Sequence, residues 1–276
     1  MVIFPESLQQ LGFELQYHPS GQPPYLLSPL CTIPAGVFLM GSDPTVDEQA
    51  RPEECPQHSV WLPTYHIGKY PVTVAEYTYA IQAHAPGVMI PSGMWPAWEK
   101  QLTHPTWPVY GLTWYDALGY ARWLGHMTGQ AWRLPTEAEW EKAARGTDGR
   151  IYPWGNQWDA RNANMLWEES QSVDQSTTPI DTYAHAASPY GVIDMAGNVE
   201  EWTSTIYGVD QFPYPYVATD GREEMEENSR FRFRRLRGGC WLLKPPMARV
   251  AFRDFFHVED RYDWLHGVRL ACTEMP

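Results

Sequence analysis

Three stretches of the chain place apolar residues at helical spacing, and each begins with a threonine that can cap a helix, at Thr73, Thr113 and Thr136. Thr73 and Thr136 are each followed three residues later by a glutamate. In this capping box, the side chains satisfy each other's free backbone amides. The predicted helices begin at these threonines and end at about His84, before Gly129 and before Gly146.

Shorter apolar runs predict strands. Residues 37–40 form one such run and end at turn residues. Residues 58–70 alternate like a strand, but Pro63 interrupts them, which favours an edge strand or a bulge. The acidic, proline-punctuated residues 43–57 read as a surface loop. After Gly146 we predict turns and short strands only.

The C-terminal residues 237–276 follow neither a period of two nor one of 3.6. Small, basic and glycine positions form one set there, and large apolar residues such as Leu243, Phe255 and Trp264 form another. Two interpretations stay open at this point. The apolar set is either irregular core packing or an exposed contact surface, because contact surfaces are rich in aromatic residues, Met and Arg.

Length and composition favour one large domain. A chain of 276 residues exceeds the usual domain size of about 100–150 residues, yet mixed domains of roughly 250 residues occur. Proline-rich residues 1–32 read as an extended lead-in, and residues 33–276 as the single folded domain. With 14 Trp and 16 Tyr, the chain has the wide side chains that a loop-rich core needs.

Net charge and hydropathy limit the classes of partner that we expect for this protein. A net charge of −13 argues against nucleic acid, which needs a basic surface. No apolar run is long enough to span a membrane, and the N-terminus lacks a signal peptide, so we expect a cytoplasmic protein without a membrane partner. The alternating Arg and Phe residues of 230–237 predict a strand with a solvated basic face.

The cysteines form no recognisable site by their spacing. Cys31, Cys55, Cys240 and Cys272 are far apart and include no CxxC pair, so neither a zinc site nor a disulfide scaffold is indicated. A bridge between Cys240 and Cys272 stays open.

Six motifs in order along the chain carry a family resemblance: FLMGS at 38–42, YPVT at 70–73, RLPTEAEWE at 133–141, YPWG at 152–155, YGVIDMAGNVEEW at 190–202 and RGG at 237–239. Together they resemble the formylglycine-generating-enzyme (sulfatase-modifying factor) domain over roughly residues 33–272. The resemblance implies an α+β, C-type-lectin-like fold, loop-rich, with few helices and short antiparallel strands. Fold alone does not assign function.

Enzymes of that family oxidise a cysteine with copper held by two cysteines, since soft Cu(I) prefers thiolates. The resemblance places those two positions at Leu243 and at or near Ala248, while Cys240 lies three residues early. We therefore predict that this chain is not such an enzyme. A metal-dependent oxidase with a reassigned active site remains the alternative.

A second branch resembles sulfoxide synthases, whose iron is held by histidines of a preceding helical domain. No such segment is seen here, and the histidines lack helical ligand spacing. His104 and His257 therefore read as satisfied polar residues or contact residues.

A third branch, the variable proteins of diversity-generating retroelements, resembles this chain most. Its fixed C-terminal framework corresponds to Arg237, Gly238, Gly239, Trp241, Ala248, Arg249, Arg253, Gly267, Arg269, Leu270 and Ala271. In this branch the positions between the framework residues vary by mutation of adenines in the template codons. Val268 departs from the branch's usual phenylalanine. Lys244 and Trp264 also depart from the pattern, because adenine changes within one asparagine codon cannot produce lysine or tryptophan. Large apolar residues stand at several positions between the framework residues, as expected of a selected binding patch.

The resemblance implies a receptor for a protein or small-molecule ligand, with residues 237–272 as the variable binding segment. The predicted contact residues are Cys240, Trp241, Leu242, Leu243, Lys244, Phe252, Asp254, Phe255, Phe256, His257, Tyr262, Trp264 and Leu265. Trp241 and Phe252 are the two for which a core position is the main alternative.

Besides the copper and iron of the resembling enzymes, the resemblance suggests a structural calcium ion. Its ligands would be the side chains of Asp194 and Glu201 and the carbonyls of Gly197 and Val199, hard oxygen donors that suit this ion. The alternative is that the two carboxylates bond backbone amides in a tight turn.

Overall fold

The computed structural model describes residues 5–91, 98–166, 176–208, 210–225, 233–258 and 266–273. The helices within these ranges are α1 (Glu6–Gln10), α2 (Val74–Gln82), α3 (Trp98–Gln101), α4 (Trp114–Thr128) and α5 (Glu137–Arg145). The strands are β1 (Glu14–Gln16), β2 (Tyr25–Leu27), β3 (Leu30–Ile33), β4 (Gly36–Met40), β5 (His58–Leu62), β6 (Tyr65–Gly68), β7 (Glu200–Ile206), β8 (Phe233–Arg237), β9 (Asp254–His257), β10 (His266–Val268) and β11 (Ala271–Cys272).

The three predicted helices are confirmed as α2, α4 and α5. The Thr113 hydroxyl accepts a hydrogen bond from the amide of Asp116 at 3.0 Å, and Thr136 accepts one from Glu139 at 3.1 Å. The same reciprocal box caps α2. Gly129 ends α4 in the left-handed conformation, at a φ of 73° that glycine adopts without strain. Cap, period and stop signals agree here, which explains why these elements could be predicted.

Short strands join into small sheets. The largest has the order β10-β7-β8-β9, in which β10 runs parallel to β7 and the other pairs are antiparallel. A second sheet has the order β11-β6-β3, and β4 pairs with β5. Pro63 lies between β5 and β6, which belong to different sheets, so the predicted interruption is a full break.

Residues 5–32 differ from the predicted extended lead-in. They form α1, β1 and β2, and β3 begins at Leu30 and pairs with β6. Leu8, Phe13 and Leu26 are buried in the main hydrophobic core. The prolines lie between these short elements, so they limit the length of each strand without excluding the segment from the domain.

The predicted solvated basic face of residues 230–237 is wrong for β8. Arg234, Arg235 and Arg237 are buried, whereas Phe233 is 42% exposed. The guanidinium groups find carbonyl, carboxylate or aromatic partners inside the domain; Arg234, for example, lies 4.4 Å over the ring of Trp114. Residues 230–232 of that prediction lie outside the described ranges.

Wide aromatic side chains fill the core and bond irregular backbone. The indole of Trp114 donates to the Thr203 carbonyl at 2.9 Å, and that of Trp202 donates to the Leu112 carbonyl at 2.9 Å. All four cysteines carry free thiols, so the Cys240–Cys272 bridge does not form. Across the described ranges, no helix has the length and apolar character required to cross a bilayer.

Candidate functional site

The C-terminal segment is held by buried arginines that reach distant carboxylates. Arg249 donates to Asp47 at 2.8 Å and to Glu54 at 2.8 Å, and all three side chains are buried. Both acids belong to the predicted surface loop 43–57. Sequence reasoning missed them as partners, and the loop folds inward at these points because the guanidinium must be compensated.

Two further framework arginines bind the acidic face of α5. Arg237 forms an ion pair with Glu141 and donates to the Val250 carbonyl at 2.7 Å. Arg253 donates two hydrogen bonds to the carboxylate of Glu137, one of them from Nε at 2.9 Å. Burial alone would raise the pKa of Glu137, but the charges of Arg253, Arg235 and Arg237 lower it to about 2. These arginines therefore fix the segment to a helix that precedes it by about a hundred residues.

Arg269 is the most completely bonded member of the framework. Its guanidinium donates to Glu201 at 2.8 Å and 3.0 Å, to the Gly68 carbonyl at 2.8 Å and to the Ile193 carbonyl at 2.7 Å. Glu201 also accepts from the indole of Trp140 at 2.6 Å. The bidentate geometry suits a planar guanidinium and explains why arginine, rather than lysine, stands here.

The Gly238-Gly239 pair serves close backbone packing. Gly239 has a φ of 66°, and a Cβ there would lie 2.8 Å from the Met247 carbonyl. A larger residue would push the following segment away from the framework.

Several predicted contact positions are open to solvent. Phe255 and Lys244 are exposed, and Leu242, Leu243, Asp254 and Phe256 are half-buried. Leu243 packs against the small cluster around Tyr152 and Ala248. Phe255 stacks on Tyr207 with 3.6 Å between ring centroids, in a different part of the segment. The described positions thus form two regions, the turn 242–244 and the strand β9.

Three predicted contact residues belong to the core. Cys240, Trp241 and Phe252 are buried, and the ring of Trp241 meets that of Tyr110 edge-on at 5.5 Å. Their side chains cannot line an open surface, so we remove them from the contact set. For two of them this follows from the framework, because Cys240 directly follows Gly239 and Phe252 directly precedes the buried Arg253.

The remaining predicted contact residues are placed only in part. His257 is the last residue of β9. Tyr262, Trp264 and Leu265 lie outside the described residues.

Both predicted calcium-binding carboxylates have side-chain partners, Glu201 through both of its oxygens and Asp194 through one. Glu201 is neutralised by Arg269, and Asp194 accepts from the Asn198 side chain at 2.9 Å. The alternative prediction, that the two carboxylates bond backbone amides in a tight turn, is not what the structure shows either, because these partners are side chains. Gly197 and Val199 lie in the adjoining turn, where Gly197 donates its amide to the Gly238 carbonyl at 2.8 Å. A carboxylate held by a guanidinium does not suit calcium, so we assign this donor set no metal.

The copper chemistry of the resembling enzymes does not fit the side chains present. Leu243 and Ala248 stand at the positions that the resemblance gives to the cysteine pair. Burial and the charge of Glu200 raise the pKa of the Cys240 thiol well above its usual value, so the thiolate that a metal needs is disfavoured. No group of three or more His, Cys, Asp or Glu side chains is arranged for a metal in the described ranges.

Comparison with protein families gives a match over nearly the whole chain. The family described as the sulfatase-modifying factor enzyme 1-like domain matches residues 19–274.

Relatives with this domain carry several names. The serine/threonine-protein kinase pkn1 of Chlamydia caviae is 32% identical over 251 residues, 84% of this chain and 36% of the relative. The hercynine oxygenase of Mycolicibacterium smegmatis is 31% identical over 271 residues, 87% of this chain and 60% of the relative. The formylglycine-generating enzyme of Thermomonospora curvata is 31% identical over 241 residues, 70% of this chain and 76% of the relative. The chain thus spans only 36% and 60% of the first two relatives.

Solved structures share the fold. PvdO from Pseudomonas aeruginosa superposes with a TM-score of 0.72 at 25% identity, covering 95% of this chain and 98% of that one. Variable protein 1 of Treponema denticola superposes with a TM-score of 0.67 at 20% identity, covering 95% of this chain and 99% of that one. The predicted α+β, C-type-lectin-like fold is therefore confirmed.

Proposed function

We propose that this chain, which belongs to the family of the sulfatase-modifying factor enzyme 1-like domain, is a ligand-binding receptor that displays a variable C-terminal surface. Its partner would be a protein or a small molecule. The proposal assigns the display to the positions between the framework residues of 237–272, on a scaffold that a protein named as variable shares in fold.

One observation carries this proposal: the segment separates into a buried framework and open intervening positions. Arg237, Arg249 and Arg269 are at most 1% exposed and each is bound to carboxylates. Lys244 and Phe255 stand between them and reach solvent. A surface that changes by mutation needs this division, because exposed substitutions usually shift stability by within about 0.5 kcal/mol, whereas buried ones cost far more.

Aromatic anchors would supply most of the affinity. A few residues usually dominate binding, and aromatic side chains and arginine are prominent among them. Phe255, at 38% exposure, is the largest open side chain among the described contact positions of the segment. Leu242 and Leu243 would add apolar area at the turn.

Deep sequencing of this gene across a population of its source organism tests the receptor function. We expect substitutions to concentrate in codons 240–266, above all at the open positions Leu242, Lys244 and Phe255, while codons for Arg249 and Arg253 stay fixed. The framework codons are the matched control, because they lie within the same amplified fragment. An even and sparse spread of substitutions would contradict a diversified receptor.

The rival function is a metal-dependent oxidase, favoured by relatives named formylglycine-generating enzyme and hercynine oxygenase. Anaerobic titration with Cu(I) separates the two. We expect no tight stoichiometric binding that depends on Cys240, because its thiol is buried and protonated and no second cysteine stands at Leu243 or Ala248. Cys55→Ser, at a more accessible thiol, is the control variant. Tight binding of one Cu(I) that Cys240→Ser abolishes would instead favour the oxidase.

A further inference from the structure

A cavity of about 530 Å³ opens on the four-stranded sheet beside Arg235 of β8, Phe255 of β9 and Tyr207, which directly follows β7. Tyr207, Arg235, Arg253 and Phe255 are among the residues that line it, together with Phe212. Its volume lies within the roughly 300–1,000 Å³ typical of small-molecule sites. Nothing in the proposed display function requires an enclosed space at this place.

Arg235 is the residue that gives the cavity its chemistry. In the sheet it pairs with Phe255, so the two side chains project to the same face. The guanidinium lies 4.4 Å over the ring of Tyr207 and the residue is only 7% exposed. Its Nε atom has no hydrogen-bond partner among the described residues, and no carboxylate in those ranges forms an ion pair with it. A buried guanidinium in this condition is costly to keep.

The carboxylates near Arg235 interact with other groups. Glu137 is held by Arg253 through two hydrogen bonds, and Asp254 accepts from the Phe255 amide at 2.8 Å. Glu53, which also lines the cavity, lies 3.9 Å from the Arg51 guanidinium. Each of these carboxylates already has a donor or a cation, and none is within ion-pairing distance of Arg235 in the described structure.

Arg235 is thus a buried cation beside a second one, Arg253, and of the two only Arg253 has a carboxylate ion-pair partner among the described residues. Burial, reinforced by the charge of Arg253, lowers the pKa of Arg235 to about 9, although Glu137 partly opposes this. The Arg235 guanidinium is still a cation at neutral pH. An anion bound in the cavity would compensate for its desolvation and would offset its repulsion by Arg253. A carboxylate matches the planar fork of a guanidinium in two parallel hydrogen bonds.

Aromatic rings form the wall next to this cation. The rings of Tyr207 and Phe255 are nearly parallel, with an interplanar angle of 8°, and Phe233 meets Phe255 edge-on. The Tyr207 ring already lies between Phe255 and the Arg235 guanidinium, so a planar partner beside Arg235 would meet that ring edge-on, a geometry that aromatic pairs favour. Phosphate alone would leave this apolar wall uncovered.

We propose that this cavity is a binding site for a planar aromatic carboxylate, with the carboxylate on Arg235 and the ring against Tyr207 and Phe255. The site goes beyond the displayed surface, since Arg235 and Tyr207 lie outside the variable segment 237–272. It would remain the same while the displayed positions change, apart from Phe255, which belongs to both.

Isothermal titration calorimetry with benzoate tests the site. The wild-type chain should bind one benzoate saturably, and benzamide, the neutral isostere, at least tenfold more weakly. Arg235→Met should weaken benzoate binding at least tenfold, which is about 1.4 kcal/mol. Arg161→Met is the matched control, because the Arg161 side chain is 87% exposed and pairs with Asp159. It should leave the affinity unchanged.

Three results would overturn the assignment. Benzoate that does not bind, or that binds no better than benzamide, removes the role of the cation without any variant. Equal binding of cyclohexanecarboxylate or inorganic phosphate removes the role of the rings. Undiminished binding in Arg235→Met shows that the anion lies elsewhere. The comparison of benzoate with benzamide needs only the wild-type chain. The proposal can therefore be tested even if the Arg235→Met variant fails to fold.

Thermal unfolding of Arg235→Met distinguishes a ligand group from a structural one. No ion pair is lost in this variant, so its Tm should equal or exceed that of the wild type. A clear fall in Tm would mean that Arg235 supports the fold and would argue against the site. Failure of benzoate to bind leaves the display function standing, because that function is tested on gene variation.

Discussion

Replacing Arg269 with methionine is expected to lower the free energy of unfolding by about 3–5 kcal/mol, the cost of leaving a buried charge without its partner. Glu201 is fully buried and would keep only the Trp140 indole as a donor. The carbonyls of Gly68 and Ile193 would lose their donor at the same time. Methionine fills a similar volume, so loss of packing contributes little to the result.

Urea unfolding followed by circular dichroism measures this loss. Arg161→Met is the control, because an exposed ion pair contributes only about 0–1 kcal/mol. The double variant Arg269→Met with Glu201→Gln should recover part of the stability, since the uncompensated carboxylate is gone. A single variant that loses less than about 1 kcal/mol would contradict the role of Arg269 as a framework residue.

Local signals in the sequence predicted the local elements well. The helices after Thr73, Thr113 and Thr136 are marked by caps whose partners lie three residues away. The family motifs likewise predicted the fold. For the helices the information lies within a few residues of the element, whereas for the fold it comes from the resemblance that six motifs spread over residues 38–239 carry together.

Long-range pairing could not be predicted in this way. The bond between Arg249 and Glu54 joins residues 195 positions apart, and that between Arg253 and Glu137 joins residues 116 apart. No periodicity in β8 indicates that its arginines find such partners inside, so its basic face was predicted to be solvated. The same limit applies to residues 5–32, whose few apolar side chains contact a core assembled from later elements.

In the candidate site, too, some features could be predicted from the sequence and others could not. The framework glycines and arginines were recognised from their residue types and from the family resemblance, and the structure places them in the interior. Whether an intervening residue faces outward depends on which side of a short strand it occupies. Phe255 shares the Arg235 face of the sheet, and Phe256, one residue later, packs against the main core. The cavity at Arg235 was missed because its lining comes from four separate stretches.

Replacing Asp194 with asparagine is expected to remove a pH dependence of stability. Asp194 is buried and accepts one hydrogen bond from Asn198, but its Oδ1 atom has no partner within the described residues. Burial raises the pKa of this carboxyl from 3.8 to about 7. Asparagine keeps the shape and tolerates the left-handed backbone there, at a φ of 58°.

The sign follows from proton binding. Between about pH 4 and 7 the folded protein retains a proton that the unfolded chain has released, so the free energy of unfolding falls as the pH rises. Below that window both states are protonated, and above it both are ionised. At about 1.4 kcal/mol for each pH unit, the wild type should lose about 4 kcal/mol relative to Asp194→Asn between pH 4 and pH 8.

Urea unfolding of both proteins at several pH values, with EDTA present, measures this difference. Comparing the two proteins cancels the contributions of other buried acids, including Glu76 and Glu223, whose pKa values burial also raises to about 7. A difference that stays constant from pH 4 to pH 8 would contradict the raised pKa of Asp194. A second series with calcium in place of EDTA gives the complementary test: if calcium stabilises the wild type at pH 8 but not Asp194→Asn, Asp194 is a metal ligand after all. We expect no such effect, because the other predicted carboxylate, Glu201, is already neutralised by Arg269.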